Sequence, residues 1–326
     1  MTRLAQLPRF ELGVWPTPLQ EAPYLSDALD TPVWIKRDDL TGVGLGGNKV
    51  RKLEYLVADA LEQGADTLVT GGGPQSNHAV LTALAGVRAG LSTRLVFYGE
   101  QSSEEPRGNA VLADLAGVQI TWTGDSDRSS VDQRIEETAA ELREGGRRPY
   151  TIPRGGATAL GCAGYVRASL ELAQQLVDQE LSPSHVVVAT GSCGTQAGLA
   201  LGQRWLQASY RVIGLTVSRP RSECLERIGQ LGVSCAELLE LEVGELDLEV
   251  SDDYIGAGYG KPTPEGRAAM ELVARTEGLV LDPVFTAKAM AALIDLAPGL
   301  EGPIVFWHTG GAATAFSPAM TAGGSM

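Results

Sequence analysis

Val186-Val187-Val188-Ala189-Thr190-Gly191-Ser192-Cys193-Gly194-Thr195 runs from the strongest apolar strand of the chain straight into a turn of small residues, and a helix follows. Consecutive apolar residues without alternation suit a strand buried on both faces. The same strand–turn–helix order recurs on either side. Trp34-Ile35-Lys36-Arg37 reads as a short strand ahead of a Gly-rich stretch from Gly42 to Gly47. From about Lys49, Leu53, Leu56, Val57, Ala60 and Leu61 fall at i, i+3, i+4, i+7 and i+8, the spacing of a helix. Thr67-Leu68-Val69-Thr70 is a strand that Gly71-Gly72-Gly73-Pro74 is expected to break, and Val80, Ala83, Leu84 and Val87 mark the next helix. Val96-Phe97-Tyr98 and Ile304-Val305-Phe306-Trp307 complete the set. Strands alternating with helices predict an α/β fold with mostly parallel sheet and crossover connections. Ligand sites in such sheets lie at the carboxyl ends of the strands, where these glycine turns fall.

The 326 residues suffice for about two domains. Formal charge is 26 minus 40, or −14, which argues against nucleic acid and anionic membranes as partners. No apolar run reaches the roughly 20 residues of a membrane span. Glycine, at 40 residues, is in excess without any collagen-like repeat, so it belongs in turns and close backbone approaches. Cys162, Cys193, Cys224 and Cys235 form no CxxC pair and no secretory signal opens the chain, which fits a cytoplasmic protein. Three histidines, two of them in Gly/Asn-rich turns, predict no metal site. Gly124 to Ser130 reads as a polar loop, and the small, polar tail after Phe316 is expected to fray.

Lysine is scarce: only Lys36, Lys49, Lys52, Lys261 and Lys288 are present. In Gly46-Gly47-Asn48-Lys49-Val50-Arg51-Lys52-Leu53-Glu54, Lys49 stands at a helix start, where the dipole disfavours an ammonium, and Lys52 adds a like charge one turn on. Both effects favour the neutral amine that a Schiff base requires. The same residues also read as an Asn48 N-cap followed by a solvated lysine. Gln75-Ser76-Asn77-His78 suits helix capping, anion binding or both, and no G-x-S-x-G elbow surrounds Ser76. The turn from Gly191 to Thr195 reads as a phosphate cradle or a plain tight turn, and matches neither a P-loop nor G-x-G-x-x-G. His308-Thr309-Gly310-Gly311 is by itself a strand-end turn. An imine-forming lysine, an anion-binding turn and a phosphate cradle are together the needs of one cofactor, pyridoxal phosphate.

Five motifs in order carry a resemblance along nearly the whole chain. They are Pro16-Thr17-Pro18-Leu19 with Ile35-Lys36-Arg37-Asp38-Asp39, the Lys49 segment, the Ser76 segment, Gly256 to Gly260, and Leu281-Asp282-Pro283-Val284 with the closing His308-Thr309-Gly310-Gly311. The sequence resembles the D-cysteine desulfhydrase / 1-aminocyclopropane-1-carboxylate deaminase family, in the tryptophan synthase β-like, fold type II group. The resemblance implies a homodimer of two-domain chains, residues 1–48 with 156–326 forming the larger cofactor-binding domain and 49–155 the smaller. It implies that Lys49 holds the cofactor as a Schiff base and then acts as the base at the substrate's Cα. Asn77 would hold the ring hydroxyl oxygen, and Ser76 would face the cofactor and the substrate carboxylate. Lys52 with Gly191, Ser192, Cys193, Gly194 and Thr195 would bind the phosphate, and Thr309 would also touch the cofactor. Asn77, His78, Tyr259 and Phe285 would stand on the substrate side, and Ser76 and Tyr259 would join Lys49 in catalysis. Lys261 and Lys288 are then most simply solvated.

Two departures bear on substrate. Where the deaminases carry Tyr-Glu after Asp-Pro-Val, this chain has Phe285-Thr286. A threonine can hydrogen-bond an unprotonated pyridine nitrogen without favouring its protonation. That suits elimination of a good leaving group better than opening of a cyclopropane ring. Arg154 replaces a residue usually apolar, and reads either as a contact for a second anion on the substrate or as a surface arginine. The reaction implied is α,β-elimination from a small amino acid, giving pyruvate and ammonia. D-cysteine, releasing hydrogen sulfide, leads; L-cysteate, releasing sulfite, comes next. β-Replacement, racemisation, ring-opening deamination and a non-catalytic cofactor-binding role are the alternatives.

Overall fold

The computed structural model describes residues 2–101 and 103–317, so the polar tail from residue 318 lies outside the described residues. Among these residues ten strands form: β1 (Leu19–Glu21), β2 (Val33–Arg37), β3 (Thr67–Gly72), β4 (Ser92–Phe97), β5 (Gln119–Trp122), β6 (Pro149–Thr151), β7 (His185–Thr190), β8 (Arg211–Thr216), β9 (Glu249–Ser251) and β10 (Ile304–His308). One sheet has the order β1-β2-β10-β7-β8-β9, and the other β5-β4-β3-β6. Every pairing is parallel except β1 with β2. The expected class, two mostly parallel sheets flanked by helices, is the fold observed.

The strand period explains why both sheets are covered on two sides. Along β7, Val187 and Ala189 join Ile35, Ile213 and Phe306 under helices Pro264–Glu277 and Thr286–Leu296. Val186 and Val188 point the other way, with Val305 and Trp307, against Tyr165 and Leu172 of helix Ala159–Asp178. The smaller sheet repeats the pattern. Leu95 and Phe97 meet Val80 and Ala83 of helix Asn77–Ala89, while Val96 meets Val131 and Ile135 of helix Ser130–Glu144.

One expectation needs correction. Gly71 does not end β3, which continues through Gly72, paired with Val96 and Phe97 of β4. A ladder needs no side chains, and a Cβ on Gly71 would lie 2.4 Å from the Val96 carbonyl oxygen and 2.6 Å from Val131 Cγ1. Glycine there marks crowding rather than a break.

A buried polar network ties helix Lys49–Glu62 to the larger sheet. Asp38, directly after β2 and fully buried, accepts from Arg51 Nε at 2.9 and 3.0 Å and from Nη2 at 2.7 Å. Thr17, Tyr165 and Trp307 also donate to this carboxylate. Arg51 reaches on to Glu171, which Lys36 also contacts. The Arg51 guanidinium lies 4.2 Å from the Trp15 ring centroid. This helix carries Lys49 in its first turn.

Candidate active site

A cavity of about 350 Å³ opens at the carboxyl ends of strands from both sheets. Gly71 to Gly73 enter it from the end of β3, and Ala189 to Cys193 from the end of β7. Ser218 and Arg219 follow β8, and Thr309 follows β10. The strand-end glycine turns therefore do converge.

Lys49 lines this cavity, half-buried, at the first position of its helix. Burial, and then the neighbouring charge of Lys52, hold its amine well below the ordinary 10.5. The sequence pointed to Lys52, but burial is the larger cause. Asn48 occupies the N-cap position without a capping bond; its side chain donates instead to Thr195 Oγ1 at 3.0 Å, across the cavity floor. Lys49 is not the solvated lysine of the blander reading.

Lys52 is fully buried, and burial brings its pKa down to about 8 against the raising influence of Cys162 and Cys193. Its Nζ donates to the Gly155 carbonyl at 3.2 Å, and no carboxylate among the described residues pairs with it. An ammonium has three donors, so this cation lacks an anion. It lies against the turn before helix Gly194–Trp205, where a Cβ on Gly194 would come within 2.8 Å of Nζ. Gly191, Ser192, Cys193 and Thr195 line the cavity beside it, with Cys193 in the left-handed region at φ 72°. Backbone amides at a helix start and a buried, unpaired lysine together make an anion site.

Ser76 caps helix Asn77–Ala89, its Oγ accepting from Ala79 N at 3.2 Å, and also lines the cavity beside Asn77. Capping and a binding position thus coincide. His78 is 3 % exposed, and its Nε2 lies 3.0 Å from Thr70 Oγ1. That hydroxyl gives its own hydrogen to the Ile152 carbonyl, so Nε2 carries the imidazole proton and Nδ1 is a bare acceptor without a partner among the described residues. Burial, with Lys49 and Lys52 nearby, holds His78 neutral.

Tyr259 lies edge-on to Phe285 at 5.8 Å, and both rings face the cavity. Burial pushes the Tyr259 phenol up to about 12, against the opposing Arg128. Arg128 itself sits 3.8 Å over the Tyr259 ring. It comes from the Gly124–Ser130 loop, and sequence reading gave it no role because a polar run shows nothing of what it covers.

Three expected positions differ in the structure. Thr286 is buried but does not line the cavity; its hydroxyl donates to Asp282 Oδ2 at 2.7 Å. The Asp282 carboxylate gathers the amides of Val284, Phe285 and Thr286, and this local turn consumes the threonine. Arg154 does line the mouth, but Asp132 already holds it through Nε at 2.7 Å and Nη2 at 2.5 Å, so its fork is occupied. Lys288 is fully buried rather than solvated, donating to the carbonyls of Ile255 at 2.8 Å and Gly258 at 3.1 Å. It pins the segment that carries Tyr259. Lys288→Met would leave the Ile255 and Gly258 carbonyls only their long bonds from Gly258 N at 3.4 Å and Lys261 N at 3.3 Å, costing about 0.5–1.5 kcal/mol for each lysine bond lost. Faster amide exchange across residues 256–260 than elsewhere would register the effect; unchanged exchange there would refute it.

The comparisons with known proteins bear directly on this cavity. The profile of the family described as pyridoxal-phosphate dependent enzyme matches residues 10–310. The chain belongs to the pyridoxal-phosphate dependent enzymes. It is 44 % identical over 97 % of its length to a D-cysteine desulfhydrase of Klebsiella pneumoniae (strain 342), covering 98 % of that protein. Among solved structures it resembles an ACC deaminase homologue, with TM-score 0.92 and 43 % identity over 98 % of this chain and 96 % of the other. A fungal L-serine ammonia-lyase from Rhizomucor miehei, at TM-score 0.67 and 18 % identity over 93 % and 95 % of the two chains, shares the fold. The residues present fit pyridoxal phosphate: an amine of lowered proton affinity for its aldehyde, and a buried cation without an anion beside backbone amides for its phosphate.

Proposed function

We propose that this enzyme eliminates the β-substituent of a small amino acid to give pyruvate and ammonia, with D-cysteine as substrate and hydrogen sulfide as the sulfur product. The observation that carries this reading is Lys49, a half-buried amine held below its ordinary proton affinity in the cavity wall beside Ser76 and Asn77. Identity of 44 % to a D-cysteine desulfhydrase along nearly the whole chain supports the substrate. Phe285, the member of the Phe285-Thr286 pair that lines the cavity, carries no carboxylate for a pyridine nitrogen, which also favours this reading.

Bound pyridoxal phosphate supplies the electron sink for charge developed at the substrate's Cα. In this reading Lys49 would hold the cofactor through its amine, and the same Nζ, when free, would accept the Cα proton. Lys52 and the Gly191–Thr195 turn anchor the phosphate. Asn77 donates to the ring oxygen, and Ser76 faces the substrate carboxylate. Tyr259 and Phe285 wall the side from which the β-substituent departs, and Thr309 closes the inner wall. Phenol protonation of Tyr259 is secured by burial, so its hydroxyl serves as a donor through neutral pH.

A panel of D-cysteine, L-cysteine, L-cysteate and 1-aminocyclopropane-1-carboxylate tests the reading. Pyruvate and sulfide in equal amounts from D-cysteine, well above the other three, is the expected result. Preferred release of sulfite from L-cysteate, or of 2-oxobutyrate from the cyclopropane, would overturn the substrate. We also propose a cytoplasmic homodimer with residues 49–155 as the smaller domain. Four buried free thiols suit a reducing compartment, and light scattering on the same preparation measures the assembly.

A further inference from the structure

Asn109, at the start of helix Asn109–Leu115, is distant in sequence from every motif above, is 3 % exposed, and touches Asn77. Its contacts can be read as a chain of forced choices. The backbone carbonyl of Gln75 accepts from the Asn109 side chain at 3.0 Å. A carbonyl only accepts, so the Asn109 atom there is the amide nitrogen. The second hydrogen of that nitrogen points at the Asn77 side chain, 2.6 Å away, so the Asn77 atom receiving it is the oxygen. The Asn77 nitrogen is therefore turned the other way, toward Gly311, where a Cβ would lie only 2.8 Å from it.

The lock is itself held. Asn109 N donates to Gln75 Oε1 at 2.9 Å, and Gln75 Nε2 donates to the Arg107 carbonyl at 2.8 Å. Gly108 between them has φ +58°, and a Cβ there would come within 2.4 Å of Gln75 Oε1. Only glycine lets the chain pass this close.

We propose that Asn109 is a positioning residue that fixes the Asn77 amide with its N–H end, rather than its oxygen, free to face the cofactor's ring oxygen. The proposal rests on the reading of the cavity given above. A donor at that oxygen favours its ionised form and so lowers the pH at which the lysine-bound cofactor gives up its proton. Without Asn109 the amide is free to turn its oxygen inward, where acceptor would face acceptor.

The test titrates the visible absorption of holoenzyme against pH and measures pyridoxal phosphate affinity of the apoenzyme. In Asn109→Asp an acceptor replaces the donor facing Asn77 Oδ1, and the midpoint should rise by about one pH unit or more. Asn109→Ala, which removes the donor without adding charge, should move it the same way by less. It decides the matter if the aspartate variant fails to fold. In an Asn77→Ala background neither substitution should shift the midpoint further. An unmoved midpoint in the Asn109 variants, or an equal shift with Asn77 absent, overturns the proposal even where affinity falls. Parent protein that takes up pyridoxal phosphate without a visible band overturns instead the reading on which it rests.

Discussion

Lys49→Ala should abolish turnover and remove the visible band of the lysine-bound cofactor, with kcat falling by about 10⁴-fold or more, since proton transfer alone contributes roughly 10²–10⁴. The size of the effect follows from the shortage of amines. Lys36 is fully buried in an ion pair with Glu171, and Lys52 is directed at the Gly155 carbonyl beside the phosphate turn. Lys288 is bound to two carbonyls, and Lys261 is exposed away from the cavity lining. No other lysine can take over either covalent attachment or removal of the Cα proton. Lys49→Arg should be equally inactive, because a guanidinium stays protonated and does not condense with an aldehyde. Both variants should still bind pyridoxal phosphate non-covalently through Lys52 and the Gly191–Thr195 turn, which equilibrium dialysis would detect. Retained turnover together with the retained band would refute the role of Lys49.

What sequence made legible here was whatever is local. The apolar run Val186 to Ala189 forms the heart of the larger sheet, and Leu53, Leu56 and Val57 bury the face their spacing predicts. Lys49 stood out because a helix start and a second lysine one turn on are both readable from adjacent residues. Failures arose where a side chain's partner is set by the fold. Lys288 looked like any helix lysine, since nothing nearby in sequence announces the carbonyls of Ile255 and Gly258. The position of Thr286 in the sequence predicts a hydroxyl facing a ring, yet Asp282, four residues earlier, takes that hydroxyl. Gly71 looked like a breaker because its lack of a side chain was visible and the crowding by Val96 and Val131 was not. β5, β6 and β9 are only three or four residues long, too short for periodicity to register. Asn109 and Arg128 acquire their meaning only when the 99–130 region folds over the cavity.

The buried network behind the helix carrying Lys49 yields the largest expected effect on stability. Asp38 has no exposed surface, and donors surround it: Arg51 through two nitrogens, and the side chains of Thr17, Tyr165 and Trp307. A carboxylate, which only accepts, suits that shell; an asparagine of the same shape must turn an NH₂ toward a donor. Asp38→Asn also leaves part of the Arg51 charge unbalanced inside the protein, since Glu171 is shared with Lys36. Removing one partner of a buried pair costs about 3–5 kcal/mol, so unfolding of the variant at pH 7 should move to clearly lower denaturant. The pH dependence has a definite sign. Burial raises the Asp38 pKa, but Arg51, Lys36 and Trp307 together more than reverse this, leaving the folded carboxyl below its ordinary 3.8. A group depressed on folding contributes fully above its unfolded pKa and loses that contribution as pH falls through the folded one. Parent and Asp38→Asn stabilities should therefore stay well separated at neutral pH, begin to converge as the pH drops below about 3.8, and meet only once it has fallen through the folded carboxyl's own, lower pKa. An offset that does not shrink in acid would show that shape, not charge, makes Asp38 matter. A loss under about 1 kcal/mol at pH 7 would show that the shell relaxes around an amide. Because the Tyr165 hydroxyl that donates to Asp38 also lies 3.2 Å from the Asn48 carbonyl, directly before Lys49, slackening of this shell should reach the active site as weaker retention of the cofactor during unfolding.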